Sequence, residues 1–382
     1  MTIRFSRASD TMRALLLMVA VLLSGGAWSW EAGVPVVKKA AFSIQNLPSR
    51  HAFFINTRGS HERHGLAWLD NNRLMFVAAL PAQELESRGI YIWDVAGNSV
   101  VKYSNHIDFC FAQGYLVAYG DTKNDSEGRL TPFSVRYGQL GSEKESICEI
   151  STGKGCPPPP FNMSCKPREY SGQPLGSESS IVLELRSGDG VIVSTAAGEL
   201  PDSLEKIRKY RSRPLMLISK RYPTGKPLPI TALEEIVPWR AAFSMFAKQY
   251  VLLTQRPIDG QPGHTTNWPK ERPQPVFMMN PEDGVAEVIQ VPWRAEWTTV
   301  HLAMPARVGL VFMGGGGHSN QWGGLFLYDN HEVWSLDRGK VETFAVSPDG
   351  CRVAYAIIND YGKIKNVRFN SIKSINFCEG GK

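Results

Sequence analysis

The side chains best suited to chemistry are a few histidines and arginines that recur at one place in a repeating pattern. His64 stands before Leu66, Asn105-His106 before Phe109, Arg240 before Phe243, and Arg294 and His301 come just ahead of Leu302. The run Val237-Pro238-Trp239-Arg240-Ala241 returns almost whole as Val291-Pro292-Trp293-Arg294-Ala295. Cationic groups gathered in this way suit a carboxylate, a phosphate or an acidic peptide, so His64, His106, Arg240, Arg294 and His301 are the candidate ligand-binding residues. Packing explains the same residues more simply: Trp239 and Trp293 would fill gaps between elements, Pro would end a strand, and Arg would stack on a neighbouring Trp. His51, His61 and His64 have the ligand number of a zinc site. Their spacing puts them on one face only in a helix, however, and Thr57-Arg58-Gly59-Ser60 reads as a loop, so no metal is expected. Gly314 to Gly317 lacks the Lys-Ser or Lys-Thr that ends a phosphate-binding loop. No Gly-x-Ser-x-Gly elbow occurs, and Asp108 and Asp349 are committed to a strand and a turn by their surroundings. Neither a catalytic residue nor a cofactor is expected.

A hairpin written five times must position these residues. Leu66-Ala67-Trp68 and Leu74-Met75-Phe76-Val77 flank a polar turn. The pattern returns as Phe109-Cys110-Phe111 with Leu116 to Tyr119, Phe243-Ser244-Met245 with Val251 to Leu253, Leu302-Ala303-Met304 with Leu310 to Phe312, and Phe344-Ala345-Val346 with Val353 to Tyr355. Leu66 to Phe109 is 43 residues and Leu302 to Phe344 is 42. That period, with short alternating strands, selects a β-propeller over a helical solenoid. Outer hairpins follow the inner ones: Ile90 to Trp93 with Ser99 to Tyr103, Val276 to Met279 with Val285 to Val291, and Leu325 to Tyr328 with Val333 to Leu336. Phe133 to Tyr137 and Leu215 to Ser219 supply two more, and Val367 to Asn370 with Ser374 to Phe377 a last one. Val182 to Leu185 with Val191 to Val193 fits the missing inner hairpin loosely, and Pro201 to Lys209 reads as a short helix inserted beside it. The fold expected is therefore all-β, a six-bladed β-propeller of four-stranded antiparallel blades spanning residues 61–382. Residues 28–60 contain strand-like Ala40 to Gln45 and Ala52 to Asn56, placed to lend a strand to the last blade and remove two open edges.

Arg4, Arg7 and Arg13, the apolar run Ala14 to Leu23 and Ser24-Gly25-Gly26-Ala27 have the three-part layout of a secretory signal over residues 1–27. The apolar run is too short to span a bilayer, which points to cleavage after Ala27 rather than a permanent anchor, and no second such segment follows. With 42 basic and 36 acidic residues and no dense Lys/Arg block, nucleic acid is not an expected partner. Six Cys in an exported chain make disulfides the default. Cys148, Cys156 and Cys165 are the disulfide candidates; they lie in a Cys/Pro-rich insertion at 148–180 whose proline run cannot join a ladder. Cys351 and Cys378, read as lying on the second and fourth strands of one blade, would be about 9.5 Å apart, too far to bridge.

Phe344-Ala345-Val346-Ser347-Pro348-Asp349-Gly350 followed by Val353-Ala354-Tyr355-Ala356 resembles the repeat of the TolB-type periplasmic β-propellers. The same turn occurs in the propeller domains of prolyl oligopeptidase relatives. The other copies keep the apolar skeleton but replace the turn, with Asp70-Asn71-Asn72, Ala112-Gln113-Gly114, Ala247-Lys248-Gln249 or Pro305-Ala306-Arg307. The resemblance implies a fold and little about function, because propellers host unrelated activities. No peptidase half accompanies the repeats, so no catalytic residue is carried over. The expectation is a periplasmic or secreted, monomeric, non-catalytic module that binds an envelope protein or a small anionic ligand. A metal-assisted hydrolase or lactonase-like enzyme at the channel mouth is the alternative. A glycan-binding propeller is the second alternative, suggested by Trp68, Trp93, Trp239, Trp293, Trp297, Trp322 and Trp334.

Overall fold

In the computed structural model the residues described are 37–48, 53–54, 65–80, 88–106, 108–112, 114–120, 133–149, 152–156, 180–184, 190–194, 214–231, 242–253, 274–291, 299–315, 323–361 and 368–379. The segment read as a signal, the expected helix Pro201 to Lys209, and His64, Cys165, Arg240 and Arg294 lie outside them. Among the described residues all regular structure is strand. β1 (Val37–Lys39) and β2 (Ile44–Asn46) come first in the chain and join the sheets formed last. Sheet 1 holds β3 (Phe53–Phe54), β4 (Leu66–Trp68), β5 (Arg73–Ala79), β6 (Arg88–Asp94) and β7 (Ser99–Ser104). Here β3 and β4 share one edge of β5, Phe54 opposite Ala78 and Leu66 opposite Phe76, so the innermost strand comes in two pieces. Sheet 2 runs β8 (Asp108–Ala112), β9 (Tyr115–Tyr119), β10 (Phe133–Gln139), β11 (Lys144–Cys148), and sheet 3 runs β12 (Ser180–Glu184), β13 (Gly190–Ser194), β14 (Pro214–Ser219), β15 (Lys226–Thr231). Sheet 4 runs β16 (Ala242–Ser244), β17 (Gln249–Leu253), β18 (Gln274–Met279), β19 (Ala286–Val291).

Sheet 5 runs β20 (Thr299–Ala306), β21 (Gly309–Gly315), β22 (Gly324–Asp329), β23 (Glu332–Arg338), and β1 adds to β23 as a parallel fifth strand. Sheet 6 has β24 (Lys340–Val346), β25 (Arg352–Tyr361) and β26 (Arg368–Asn376), with β2 antiparallel to β26 as the fourth strand. This corrects the expected last hairpin. Residues 371–373 do not turn; Ser371, Ile372 and Lys373 continue the ladder opposite Ile357, Ala356 and Tyr355, because β25 is long enough to pair with all of β26. It also corrects the cysteine geometry. Cys351 immediately precedes β25 and Cys378 lies just beyond β26, at adjacent ends of neighbouring strands, and the two are disulfide-bonded with a Cα–Cα separation of 5.3 Å.

Period-two alternation explains how the sheets stack. In β5, Leu74, Phe76 and Ala78 face the core shared with Ala354, Ala356 and Ile372 of sheet 6, while Met75 and Val77 face the one shared with Phe109, Leu116 and Ala118 of sheet 2. In β17, Tyr250 and Leu252 join Ile192, Leu215 and Leu217 of sheet 3, while Val251 and Leu253 join sheets 5 and 6. In β25, Val353, Tyr355 and Ile357 turn towards sheet 5 and Ala354 and Ala356 towards sheet 1. Second strands are covered on both sides, so they read as unbroken apolar runs: Leu74 to Ala79 are all fully buried. The fourth strand β7 has no buried residue, and Ser99, Val101 and Lys102 on it are exposed.

The two ends of the sheets differ. First-to-second and third-to-fourth connections are tight, such as 69–72, 95–98, 245–248, 307–308 and 330–331. Second-to-third connections, at the other end, span 80–87, 120–132, 195–213, 254–273, 316–323 and 362–367.

Candidate functional site

At the tight-turn end, Ser347-Pro348-Asp349-Gly350 is a junction. Within the turn, Ser347 Oγ donates to Asp349 Oδ1 (2.6 Å), which also accepts Cys351 N–H (3.0 Å). Toward sheet 1, Asp349 N–H donates to Asn71 Oδ1 (3.1 Å), and the Arg352 guanidinium donates to Asn71 O (2.5 Å) and to Asn72 Oδ1. Toward sheet 5, Arg307 donates its Nε–H to Asp349 O (2.8 Å) and its backbone N–H to Gly350 O (3.0 Å). Gly350 has φ +73°, and a Cβ there would fall 2.7 Å from Cδ2 of Phe246 in the β16–β17 turn of sheet 4. Only glycine meets both demands. Turns of four sheets thus converge on the one motif that resembles a known repeat, and Asp349 is committed to holding them. Nearby, burial alone would raise the Asp70 carboxyl, but the Asn72 and Arg73 N–H groups and the Arg73 side chain hold it below its ordinary value.

A second polar centre lies between sheets 1 and 2. His106, on the connector from β7 to β8, is 6% exposed. Its Nδ1 meets Ser104 Oγ (2.8 Å), its Nε2 meets Ser134 Oγ on β10 (3.2 Å), and Ser134 in turn donates to Glu145 Oε1 on β11 (2.8 Å). Arg136 lies over the Tyr103 ring at 5.0 Å and 4.0 Å from Glu143. Burial, reinforced by Glu143, pushes the Tyr103 phenol up. Burial acts to raise Glu143, but Tyr103, the Gly141 N–H and Arg136 hold it below the usual carboxylate range. Sequence reasoning missed Ser104, Ser134 and Glu145, whose only local signal is the alternation that puts Ser134 and Arg136 on one face of β10.

A third centre joins sheets 5 and 6. Asp337 Oδ2 accepts the Tyr355 hydroxyl (2.8 Å) and the Lys373 ammonium (2.8 Å). Burial first, and then Asp337, push the Tyr355 phenol far up, so it remains a donor.

Of the five candidate ligand-binding residues, His106 and His301 are described. His106 has both ring nitrogens engaged within the protein. His301 is the extra residue of a β-bulge in β20, between Val300 opposite Gly314 and Leu302 opposite Met313, and is half-buried. Among the tryptophans, Trp68 and Trp93 are buried between sheets 6 and 1, with Trp68 Nε1 donating to Ala345 O (2.9 Å), and Trp334 is half-buried under Lys38. Cys148 ends β11 in the sheet and is bonded to Cys156 across a Cα–Cα distance of 4.4 Å. Among the described residues no three His, Cys, Asp or Glu side chains gather as a metal site, and no helix is long and apolar enough to cross a membrane.

No family model and no curated protein matches the chain. Solved structures similar to it include the β-propeller domain of the Trilobed protease from Pyrococcus furiosus, at 10% identity, TM-score 0.31, over 82% of this chain and 81% of that one. The Cps50 (Swd1) β-propeller domain of Myceliophteria thermophila is another, at 10% identity and TM-score 0.34 over 84% and 99%. A study of two prolyl endopeptidases supplies a third, at 8% identity and TM-score 0.30 over 83% of this chain and 42% of that one. Likeness this distant carries no argument about function; the fold rests on the sheets themselves.

Proposed function

We propose that the chain is a closed six-bladed β-propeller, exported to the cell envelope, that acts without catalysis as a binding module for a protein or a small anionic ligand. The observation that carries this reading is the stacking of the sheets: in the order 3, 4, 5, 6, 1, 2 each shares apolar core with the next, so that sheet 6 packs on sheet 1, and sheet 6 takes its fourth strand from β2. Such a body is stiff, with tight turns at one end and every long second-to-third connection at the other, the arrangement in which loops on a rigid scaffold engage partners. The Cys148–Cys156 and Cys351–Cys378 bonds suit an oxidising compartment. His64, Arg240, Arg294 and His301 remain the proposed contacts for an acidic group. Affinity capture from envelope extracts with the protein and with an Arg240→Ala/Arg294→Ala double variant tests this. Recovery of one partner that falls at least tenfold in the variant is the expected result; equal recovery returns both arginines to packing. Elemental analysis showing a stoichiometric metal, removed only by strong chelation, would favour the hydrolase reading instead.

A further inference from the structure

The hydrogen-bond polarity around His106 follows from its far end. Glu145 can only accept, so Ser134 spends its proton on Glu145 Oε1 and its oxygen accepts the His106 Nε2–H. That tautomer leaves Nδ1 bare to take the Ser104 hydroxyl, and Ser104 Oγ accepts the His106 backbone N–H (3.1 Å). Every group in the chain is matched while the ring is neutral. We propose that His106 is an acid-sensitive latch between sheets 1 and 2, closed by the neutral imidazole and released when Nδ1 takes a proton from solvent. Protonation removes the acceptor for the Ser104 O–H, which must turn away, and places a cation in a site nearly closed to water.

The surrounding charges do not neutralise that cation. From β11, Glu145 favours it, while Glu143 is already turned toward Arg136 and Tyr103. From β10, Arg136 opposes it; from β7, Tyr103 stays uncharged; and at the start of β8 Asp108, 8% exposed, holds the Phe109 N–H through Oδ1. Burial is the largest influence on the ring and lowers its pKa from 6.5; Arg136 acts in the same direction and Glu145 against it. The unfolded chain therefore binds this proton more readily than the folded one. Stability from the contact is complete above about pH 6.5 and is lost as pH falls toward the lower folded pKa. The latch does not depend on what the protein binds.

The test is hydrogen exchange of the β7 amides and of the His106 amide on the full chain between pH 8 and 5, corrected for intrinsic rates, together with the ring nitrogen shifts of His106. The Nε2–H tautomer and a midpoint below 6.5 are expected, with opening accelerating by up to about tenfold per pH unit below 6.5 while β22 amides do not respond. In His106→Gln, whose side-chain amide donates to Ser134 but does not titrate, the acid response of β7 disappears. An Nδ1–H tautomer, a midpoint at or above 6.5, or an undiminished response in His106→Gln overturns the latch. The ring shifts of the unaltered protein decide even if the variant does not fold.

Discussion

At the scale of single residues, the polar groups worth most are those that join one sheet to the next away from water. Asp337 is the clearest: on β23 of sheet 5 it accepts from Tyr355 and Lys373 of sheet 6, with its own side chain 17% and that of Lys373 18% exposed. Asp337→Ala strands an ammonium and a phenol together, and we expect a loss of about 2–4 kcal/mol in urea unfolding, with Asp337→Asn losing less. Lys38→Ala serves as the contrast. Lys38 pairs with Glu332 at 2.5 Å, but both side chains are close to half exposed, and the expected change is below about 1 kcal/mol. His106 belongs with Asp337 in this respect: what matters is which neighbouring sheet its ring nitrogens reach, and none of Ser104, Ser134 and Glu145 is marked by a motif.

At the scale of elements, the inner hairpins are legible because two constraints coincide. Their second strands are covered on both sides and must be apolar throughout, and the turns that join them to the first strands are short. Residues 368–376 escape this logic: Ser371-Ile372-Lys373 looks like a turn flanked by strands, yet the length of β25 makes one continuous partner the better-bonded solution. The cysteines follow from that strand. Cys351–Cys378 closes a separation of 27 residues and ties the two ends of neighbouring strands, whereas Cys148–Cys156 closes only 8. Removing the first by Cys351→Ser/Cys378→Ser is expected to cost on the order of 3–4 kcal/mol, and Cys148→Ser/Cys156→Ser about 1 kcal/mol less, measured by thermal unfolding of the two variants side by side.

At the scale of the whole molecule, the segment Val37–Asn46 runs along the margin of two sheets, adding β1 to a complete sheet 5 and supplying the missing strand of sheet 6. Gln45 extends the seam by donating to Val95 O (2.8 Å) and Asn98 Oδ1 (3.2 Å) of sheet 1. A chain lacking residues 37–46 leaves β26 with an unpaired edge of nine residues. We expect it to self-associate in sedimentation experiments where the full chain does not, and a synthetic peptide of residues 40–48 to reverse this. The sequence by itself determined that the chain is built from recurrent two-strand units with alternating apolar faces, since that requires only local periodicity and turn chemistry. Ala40 to Gln45 could be recognised as strand-like for the same reason. Tertiary structure alone decided that Ile44–Asn46 pairs with Lys373–Ile375, that Cys351 meets Cys378, and that His106 stands between Ser104 and Ser134. Ser104 aside, these contacts join groups far apart in sequence, paired by the order of strands within sheet 6 or by how sheets 1 and 2 lie against one another, and local periodicity carries no record of either.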